Sequence, residues 1–242
     1  MYKGKRVIVI APAFNEEGKI GKMVSKTPWK IVDEFVVADD GSTDNTAAEA
    51  KRAGATVLSL KKNTGMGAAF KKAVEYAKKK EYDYFVHMGG DNQDDPQEIP
   101  ILLQKLEEGY DLVQGSRYLK GIKDIPLFRL VTTKAFTVFL TIVVGRQMTD
   151  GSNGFRAYRR RVVVEQDFSA KWLDKYDYDP YFLIKTIRNG YKFCEVPVSK
   201  YFHNSKSYSK MKPITGWWSM LRPLFVVIWE NFLTSTFPKR KK

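Results

Sequence analysis

A single cysteine in 242 residues excludes an internal disulfide. Cys194 sits in the apolar, strand-like stretch Phe193–Val196, so it reads as a core thiol, and a reducing compartment is the simplest inference. Also missing is any run of about 18 uninterrupted apolar residues, the length that a confident membrane span requires. The nearest candidates, around residues 135–144 and 224–229, are shorter. Residues 1–5 carry Lys3, Gly4 and Lys5 where a secretory signal would begin its apolar core, and nothing there indicates secretion. Acids are few relative to bases, 27 against 41, which leaves a formal charge of +14. A surface so basic favours anionic partners, and nucleic acid, anionic lipid and phosphorylated substrates all fit it.

What is present is apolar material, 43% of residues with 14% aromatic, sufficient for one large domain or a core domain with an appendage. Arg6–Phe14 reads as a buried strand, followed by Asn15-Glu16-Glu17 as cap and acidic first turn of a helix carrying Ile20, Met23 and Val24. Glu34–Ala38 is a second strand, running into Asp39-Asp40-Gly41-Ser42-Thr43-Asp44-Asn45, where Asp44 and Asn45 are placed to cap the next helix. Thr56–Leu60 is a third, leading through Lys61–Gly67 into a helix with Phe70, Ala73, Val74 and Ala77 on one side. Asp83–Met88 is a fourth. Strands separated by helices predict an α/β fold with a mostly parallel sheet, whose ligands bind beyond the carboxyl ends of the strands.

Acids gather at those ends: Glu16, Asp39, Asp40 and Asp91. They would repel one another in an empty site, and a bound cation or the donor groups of a base and ribose would relieve that repulsion. The stretch Val86–Glu98 concentrates the pattern. An apolar strand ends in Gly89-Gly90, which permits a sharp turn and close approach to a ligand. Asp91, Gln93, Asp94 and Asp95 follow with hard oxygen atoms, a set suited to a divalent cation shared with substrate phosphates, and Pro96 opens a helix. Gly65-Met66-Gly67 is a poor dinucleotide fingerprint, because its third small position falls on Phe70, and Lys61-Lys62 lacks Walker spacing.

In order and spacing, Pro12–Glu17, Val37–Asp44, Gly65–Ala69 and Asp91–Pro96 resemble the inverting nucleotide-sugar transferases of glycosyltransferase family 2. Gln114–Tyr118, Asp150–Arg156 and Glu195–Val198 extend the resemblance to the polyprenyl-phosphate branch, over roughly residues 5–211. It implies a GT-A-type, Rossmann-like sheet flanked by helices. It divides the chain into a nucleotide-sugar-binding half (1–118), an acceptor-binding half (119–212) and a basic amphipathic tail (213–242). The implied nucleotide-binding residues are Pro12, Ala13, Asn15, Glu16, Asp39, Asp40, Gly67 and Gly90; Asp91 and Gln93 are the implied ligands of Mg²⁺ or Mn²⁺. One departure stands out: Gly89 occupies the first position of the family's usual Asp-x-Asp, so Asp94 or Asp95 would have to compensate, or the cation would arrive with the nucleotide.

Sugar transfer requires the leaving diphosphate to be neutralised. A lipid-phosphate acceptor is already anionic and needs cationic clamps more than a base, whereas a sugar hydroxyl needs a carboxylate within reach. Arg117 ends a predicted strand, and Arg129 interrupts the apolar Pro126–Leu130; by resemblance both bind phosphate, together with Ser152, His203 and Lys210. His203 stands where the family usually has Arg, with one residue inserted before the Ser209-Lys210 pair. Asp150 matches an active-site Asp and is the best base should the acceptor be a hydroxyl. Pro126–Gly145 and Ile214–Phe237 alternate apolar and basic positions as interfacial helices do, with Pro238–Lys242 available to anionic headgroups.

The chain is therefore expected to be an enzyme moving one hexose from a GDP- or UDP-sugar to a polyprenyl phosphate, at the cytoplasmic face of a membrane and without nucleic acid. The alternatives are a family 2 transferase acting on a glycan or protein hydroxyl, a basic nucleic-acid-binding protein, and an inactive homologue, the last raised by Gly89. The nucleic-acid reading is weaker because it expects a continuous basic, aromatic surface in place of acids at strand ends.

Overall fold

The computed structural model describes residues 1–120, 125, 127–201 and 213–236, with side chains for all of these except 213–214 and 231–236. Its strands are β1 (Val7–Ala13), β2 (Glu34–Asp39), β3 (Thr56–Ser59), β4 (Tyr84–His87), β5 (Leu112–Ser116), β6 (Arg156–Arg159) and β7 (Phe193–Pro197). They form one sheet in the order β3-β2-β1-β4-β6-β5-β7. Every neighbouring pair is parallel except the two that β6 makes, with β4 and with β5. The expected mostly parallel α/β sheet is what the chain forms.

The sheet is covered on both faces, which is why β1 and β2 read as near-continuous apolar runs. Val7, Val9, Ala11, Phe35, Val37, Tyr84 and Val86 face one core, closed by α1 (Ile20–Ser25), α2 (Thr46–Arg52) and α4 (Ile99–Glu107). Ile8, Ile10, Val36, Ala38 and Phe85 face the other, closed by α3 (Met66–Lys78), α5 (Leu127–Val144), α6 (Arg160–Glu165), α7 (Tyr178–Arg188) and α8 (Pro213–Thr236). A short 3₁₀ turn, Pro96–Glu98, leads into α4, with Asp95 accepting the Gln97 N–H as its cap.

One local expectation needs correcting. Asn15-Glu16-Glu17 is not the first turn of α1, which starts at Ile20 with no acid in its first turn. Asn15 has φ +52°, a left-handed conformation that turns the chain away from a helix. The segment is instead fastened to the start of α2. Thr43 N donates to Asn15 Oδ1, and Asn45 N and Nδ2 donate to the Glu17 carboxylate. Glu16 N donates to Thr46 Oγ1 and Glu17 N to Asp44 Oδ2. Glu17 thus serves the neighbouring helix, where the positive end of the dipole favours it, while the Glu16 carboxylate pairs with Lys19 (2.8 Å).

The register fixes where the loops meet. Ala13 lies opposite Asp39, Ile10 opposite His87 and Ser116 opposite Pro197, so the carboxyl ends of these parallel strands share one edge. Because β6 runs the other way, its first residue, Arg156, pairs with His87 and Gln114 at that same edge. The loops beginning at residues 14, 40, 60, 88, 117 and 198, and the approach to β6 at 149–155, all converge there.

α5 and α8 each present two faces. Phe136, Leu140, Leu224 and Val227 are buried in the core, while Leu127 and Phe128 (both 74% exposed), Ile142 (72%) and Trp229 (62%) face outward. Phe139 meets Phe225 edge-on, and Trp218 stacks on Phe225, so the two outer faces adjoin. By length and composition, α5 is the one helix among the described residues that could cross a membrane. The sequence breaks it into shorter apolar runs because Arg129 and Lys134 lie within it.

Candidate active site

Over the shared edge lies a cleft of about 750 Å³. One wall comes from the strand ends: Pro12, Phe14 and Glu16 after β1, Asp40 after β2, Asn63–Met66 after β3, and Gly89, Gly90, Asp91 and Gln93 after β4. Two strand ends are locked by Gly90. Its N–H donates to the Pro12 carbonyl (3.1 Å), and a Cβ there would lie 2.7 Å from that oxygen and 2.8 Å from the Ala13 Cβ. Any side chain at position 90 would push the 89–93 loop off β1.

The acids of this wall do different work. Asp39 is buried and accepts the Ser42 N–H (2.9 Å), tightening its own turn. Asp40 accepts N–H groups from Thr64 (2.8 Å) and Gly65 (2.9 Å), which pins the loop after β3 at the cleft floor. Burial pushes the Asp40 carboxyl above its ordinary pKa, opposed by those two N–H bonds. Asp91 Oδ1 accepts the Gln93 N–H (3.1 Å), so the two predicted metal ligands belong to one turn that opens on the cleft.

Neither neighbouring acid replaces the carboxylate missing at Gly89. Asp94 is buried, its Oδ1 paired with Lys200 Nζ (2.7 Å), and Asp95 is spent on capping the turn into α4. Residues 94 and 200 also form a β-bridge, and Tyr201 N donates to Gln93 O (2.8 Å), so the chain after β7 is stitched to the metal loop. Among the described residues no three His, Cys, Asp or Glu side chains cluster as a metal cage. One carboxylate and one amide oxygen facing a cleft fit a cation that brings phosphate oxygens with it.

Arg117, Asp150 and Ser152 come together at the end of β5. Asp150 is fully buried and takes Arg117 Nε (2.7 Å) and Nη2 (2.9 Å) on its two oxygens, while Nη2 also donates to Ser152 Oγ (2.6 Å). Burial opposes the Arg117 charge, but the Asp150 bonds outweigh it and raise the guanidinium pKa. Glu195 braces the turn by accepting Thr149 N (2.7 Å) and Asp150 N (3.0 Å). Beneath, Gln114 donates to Asp150 O and accepts from Arg156 Nε (2.9 Å), and Arg156 pairs with Asp179 (2.7 Å). Arg156 is completely buried, so this ladder must remain paired to be tolerated. His87, next to it, is held neutral: burial, then Arg156, lowers its pKa to about 3.

Asp150 is consequently not free to act as a base; its carboxylate is the anchor of Arg117. Arg129, near the start of α5, does line the cleft. Burial lowers its pKa first and the Arg117 charge second, while Asp91 works the other way. Two guanidinium groups that feel each other beside a cleft favour an anion.

The opposite wall is helical. Lys175 and Tyr176 precede α7, and Thr215, Gly216 and Ser219 come from α8. The glycines at 65 and 67 explain how it is reached: a Cβ at Gly65 would collide with Asp174 O and one at Gly67 with Leu173 O, and Gly67 N donates to Lys175 O (3.1 Å). Gly67, expected to touch nucleotide, is therefore a notch for the 173–175 backbone. Lys175 and Tyr176, which no sequence motif marked, supply lining. Their signal was the glycine pair itself, which is a poor dinucleotide fingerprint but a good notch for another backbone.

Of the predicted residues, Pro12, Glu16, Asp40, Gly90, Asp91, Gln93 and Arg129 line the cleft. Ala13, Asn15, Asp39, Gly67, Arg117, Asp150 and Ser152 support it from behind or beside. His203 and Lys210 lie outside the described residues.

The sequence model described as Glycosyl transferase family 2 matches residues 8–166. The polyprenol monophosphomannose synthase of Mycolicibacterium smegmatis is 30% identical over 204 residues, 81% of this chain and 77% of that one. The dolichyl-phosphate hexose transferase of Haloferax volcanii is 28% identical over 86% of this chain and 87% of its own length. The undecaprenyl-phosphate mannosyltransferase of Micrococcus luteus is 29% identical, with 80% and 83% covered. Among solved structures, glucosyl-3-phosphoglycerate synthase from Mycobacterium tuberculosis, in complex with Mn²⁺, UDP and phosphoglyceric acid, superposes with a TM-score of 0.71 at 22% identity, covering 94% of this chain and 78% of that one. The same enzyme with Mg²⁺ and UDP gives 0.66 at 23% identity, covering 94% and 79%. These last two likenesses concern the fold.

Proposed function

The chain belongs to glycosyl transferase family 2, and on that premise we propose that it transfers one hexose, with inversion, from a GDP- or UDP-sugar to a polyprenyl phosphate at a membrane surface. The relatives named for polyprenyl and dolichyl phosphate transfer support the acceptor class. The observation that carries the reading is Arg129, lining the cleft close enough to feel both Asp91 and the Arg117 guanidinium. A phosphate seated there relieves the repulsion between the arginines and is held near the donor loop, which is the orientation two anionic reactants need.

In this reading residues 1–118 supply most of the donor contacts. Asp40 shapes the nucleoside end by holding Thr64 and Gly65, Glu16 and Pro12 form its floor, and Asp91 and Gln93 receive the diphosphate. They would hold Mg²⁺ or Mn²⁺, which when bound supplies charge neutralisation for the leaving diphosphate. Residues 119–212 supply the acceptor side: Arg117 at its border, locked by Asp150 and Ser152, and Arg129. His203 and Lys210 are assigned to the same phosphate. The acceptor oxygen is already anionic, so no general base is required. The commitment of Asp150 to Arg117 favours this acceptor over a hydroxyl, for which Asp150 was the best base. The outer faces of α5 and α8, with the basic stretch 239–242, rest on the cytoplasmic surface as a peripheral or monotopic anchor.

The test is transfer of radiolabel from a panel of GDP- and UDP-sugars into a short-chain polyprenyl phosphate, with Mn²⁺ or Mg²⁺ and with EDTA. The expected result is label in the lipid phase, lost with EDTA, from one donor. Donor hydrolysis without lipid label would move the acceptor to a hydroxyl, and no donor turnover at all would indicate an inactive homologue.

A further inference from the structure

α8 has one side in the cleft and another in solvent, and it is latched to the segment that completes the donor wall. Thr215, Gly216 and Ser219 line the cleft. Ser219 Oγ accepts the Tyr176 N–H (3.2 Å) and donates to Asp177, which is fully buried. Arg222 Nε donates to the other Asp177 oxygen (2.7 Å) and its Nη2 to Trp172 O (2.6 Å), with the guanidinium over the Trp172 ring. The same segment is fixed on its far side by the glycine notch and by Lys71, which pairs with Asp174 and donates to Ala170 O (3.1 Å). Lys175 and Tyr176 therefore stand in the cleft on a segment that α8 grips from one side through Asp177 and Trp172. Trp218 and Trp229, 55% and 62% exposed, project outward from this helix, and Trp218 reaches the outer face of α5 through Phe225, which meets Phe139.

We propose that the α5–α8 outer face docks on an anionic lipid surface and that this docking and nucleoside diphosphate binding are thermodynamically coupled through the Asp177 latch. The inference rests on the donor reading above and adds to it that lipid and nucleotide each strengthen the binding of the other. The patch is apolar and aromatic on a chain of net charge +14, with the exposed Lys134 on α5, which matches an anionic bilayer. Lipid holds α8 in its docked orientation, and the docked orientation is the one that closes the donor wall. A nucleotide that contacts that wall selects the same orientation, and linkage makes the two effects equal.

The test is the Kd of GDP and of UDP, by titration calorimetry with Mn²⁺, for the full chain alone and with phosphatidylcholine–phosphatidylglycerol vesicles lacking polyprenyl phosphate. The expected result is tightening of one nucleotide by about fivefold or more on vesicles, with an equal strengthening of vesicle binding by that nucleotide. Arg222→Met should reduce the enhancement to below about twofold, and the milder Ser219→Ala should reduce it without leaving Asp177 unpaired. Trp218→Ser with Trp229→Ser should abolish vesicle binding while the Kd in solution stays at the wild-type value. An unchanged Kd on vesicles that do bind the wild-type chain overturns the coupling and leaves the transferase reading standing. Failure of the wild-type chain to bind vesicles overturns the docking surface. Failure to bind either nucleotide in any condition overturns the donor reading itself, and the coupling with it.

Discussion

The two walls of the cleft are built differently. The strand-end wall is made of short loops that each follow a buried strand, fixed right at the strand ends: Asp39 to Ser42 and Asp91 to Gln93 within their own turns, and Gly90 to Pro12 across to the adjacent strand. The helical wall is assembled from residues 129, 175–176 and 215–219, far apart in sequence and held by tertiary contacts. The first wall is stiff by local geometry and the second by docking. The strand-end wall therefore carries fixed charge for a donor, and the helical wall is the part whose position can respond to what binds.

That contrast is broken most severely at Asp91. Asp91→Asn keeps the shape of its turn and removes the one carboxylate of the metal loop that faces the cleft. Transfer should fall by about 10³-fold, some 4 kcal/mol, with no change in melting temperature beyond a degree or two. Steady-state kinetics beside thermal denaturation checks this; a loss below tenfold would deny the strand-end wall its role.

The junction between the walls is Gly67. Gly67→Ala puts a methyl against Leu173 O and should lower stability by about 1–3 kcal/mol, read by urea denaturation, while weakening nucleotide binding more than Asp40-side contacts account for. An unaltered stability would mean that the helical wall is not seated on this notch.

The smallest effect lies beneath the metal loop. His87 is neutral in the fold, with its pKa lowered to about 3 against an ordinary value near 6.5. The unfolded chain takes up a proton that the folded chain refuses, so stability falls as pH drops below about 6.5, by roughly 1 kcal/mol at pH 5.5. Asp179, whose carboxyl is raised by burial, contributes with the opposite sign at lower pH. His87→Gln should flatten the acid limb between pH 6.5 and 5 in urea titrations; an identical slope would assign that limb elsewhere.

Legibility followed the same division. The sheet, its parallel sense and most of the strand-end wall could be read because an apolar run followed by Asp, Asn or Gly encodes both the strand and its turn within a dozen residues. Arg129 was legible for a different reason: a charge inside an apolar helix demands a purpose. Lys175, Tyr176 and Ser219 were not, since nothing local distinguishes them from surface residues and only the docking of α7 and α8 brings them to the cleft. Asp150 and Gly67 were marked by the sequence without their partners for a related reason. The sequence marks a residue as special without saying whether it faces ligand or backbone, and here one anchors Arg117 while the other admits a neighbouring chain segment. Asn15-Glu16-Glu17 has a helix-start composition, but the helix whose start it guards is a spatial neighbour.

The reversed direction of β6 has a consequence for how such a chain diversifies. Because β5 leaves the sheet and β6 returns to it at the same edge, everything from Arg117 to Phe155 is an excursion that begins and ends beside the cleft. Its exposed residues can be exchanged without shifting the register of any strand, whereas Phe136 and Leu140 are held in the core and Asp150 in its ladder. The excursion is an insertion with a fixed root and a free outer face, so change can accumulate on that face while the strand-end loops stay as they are.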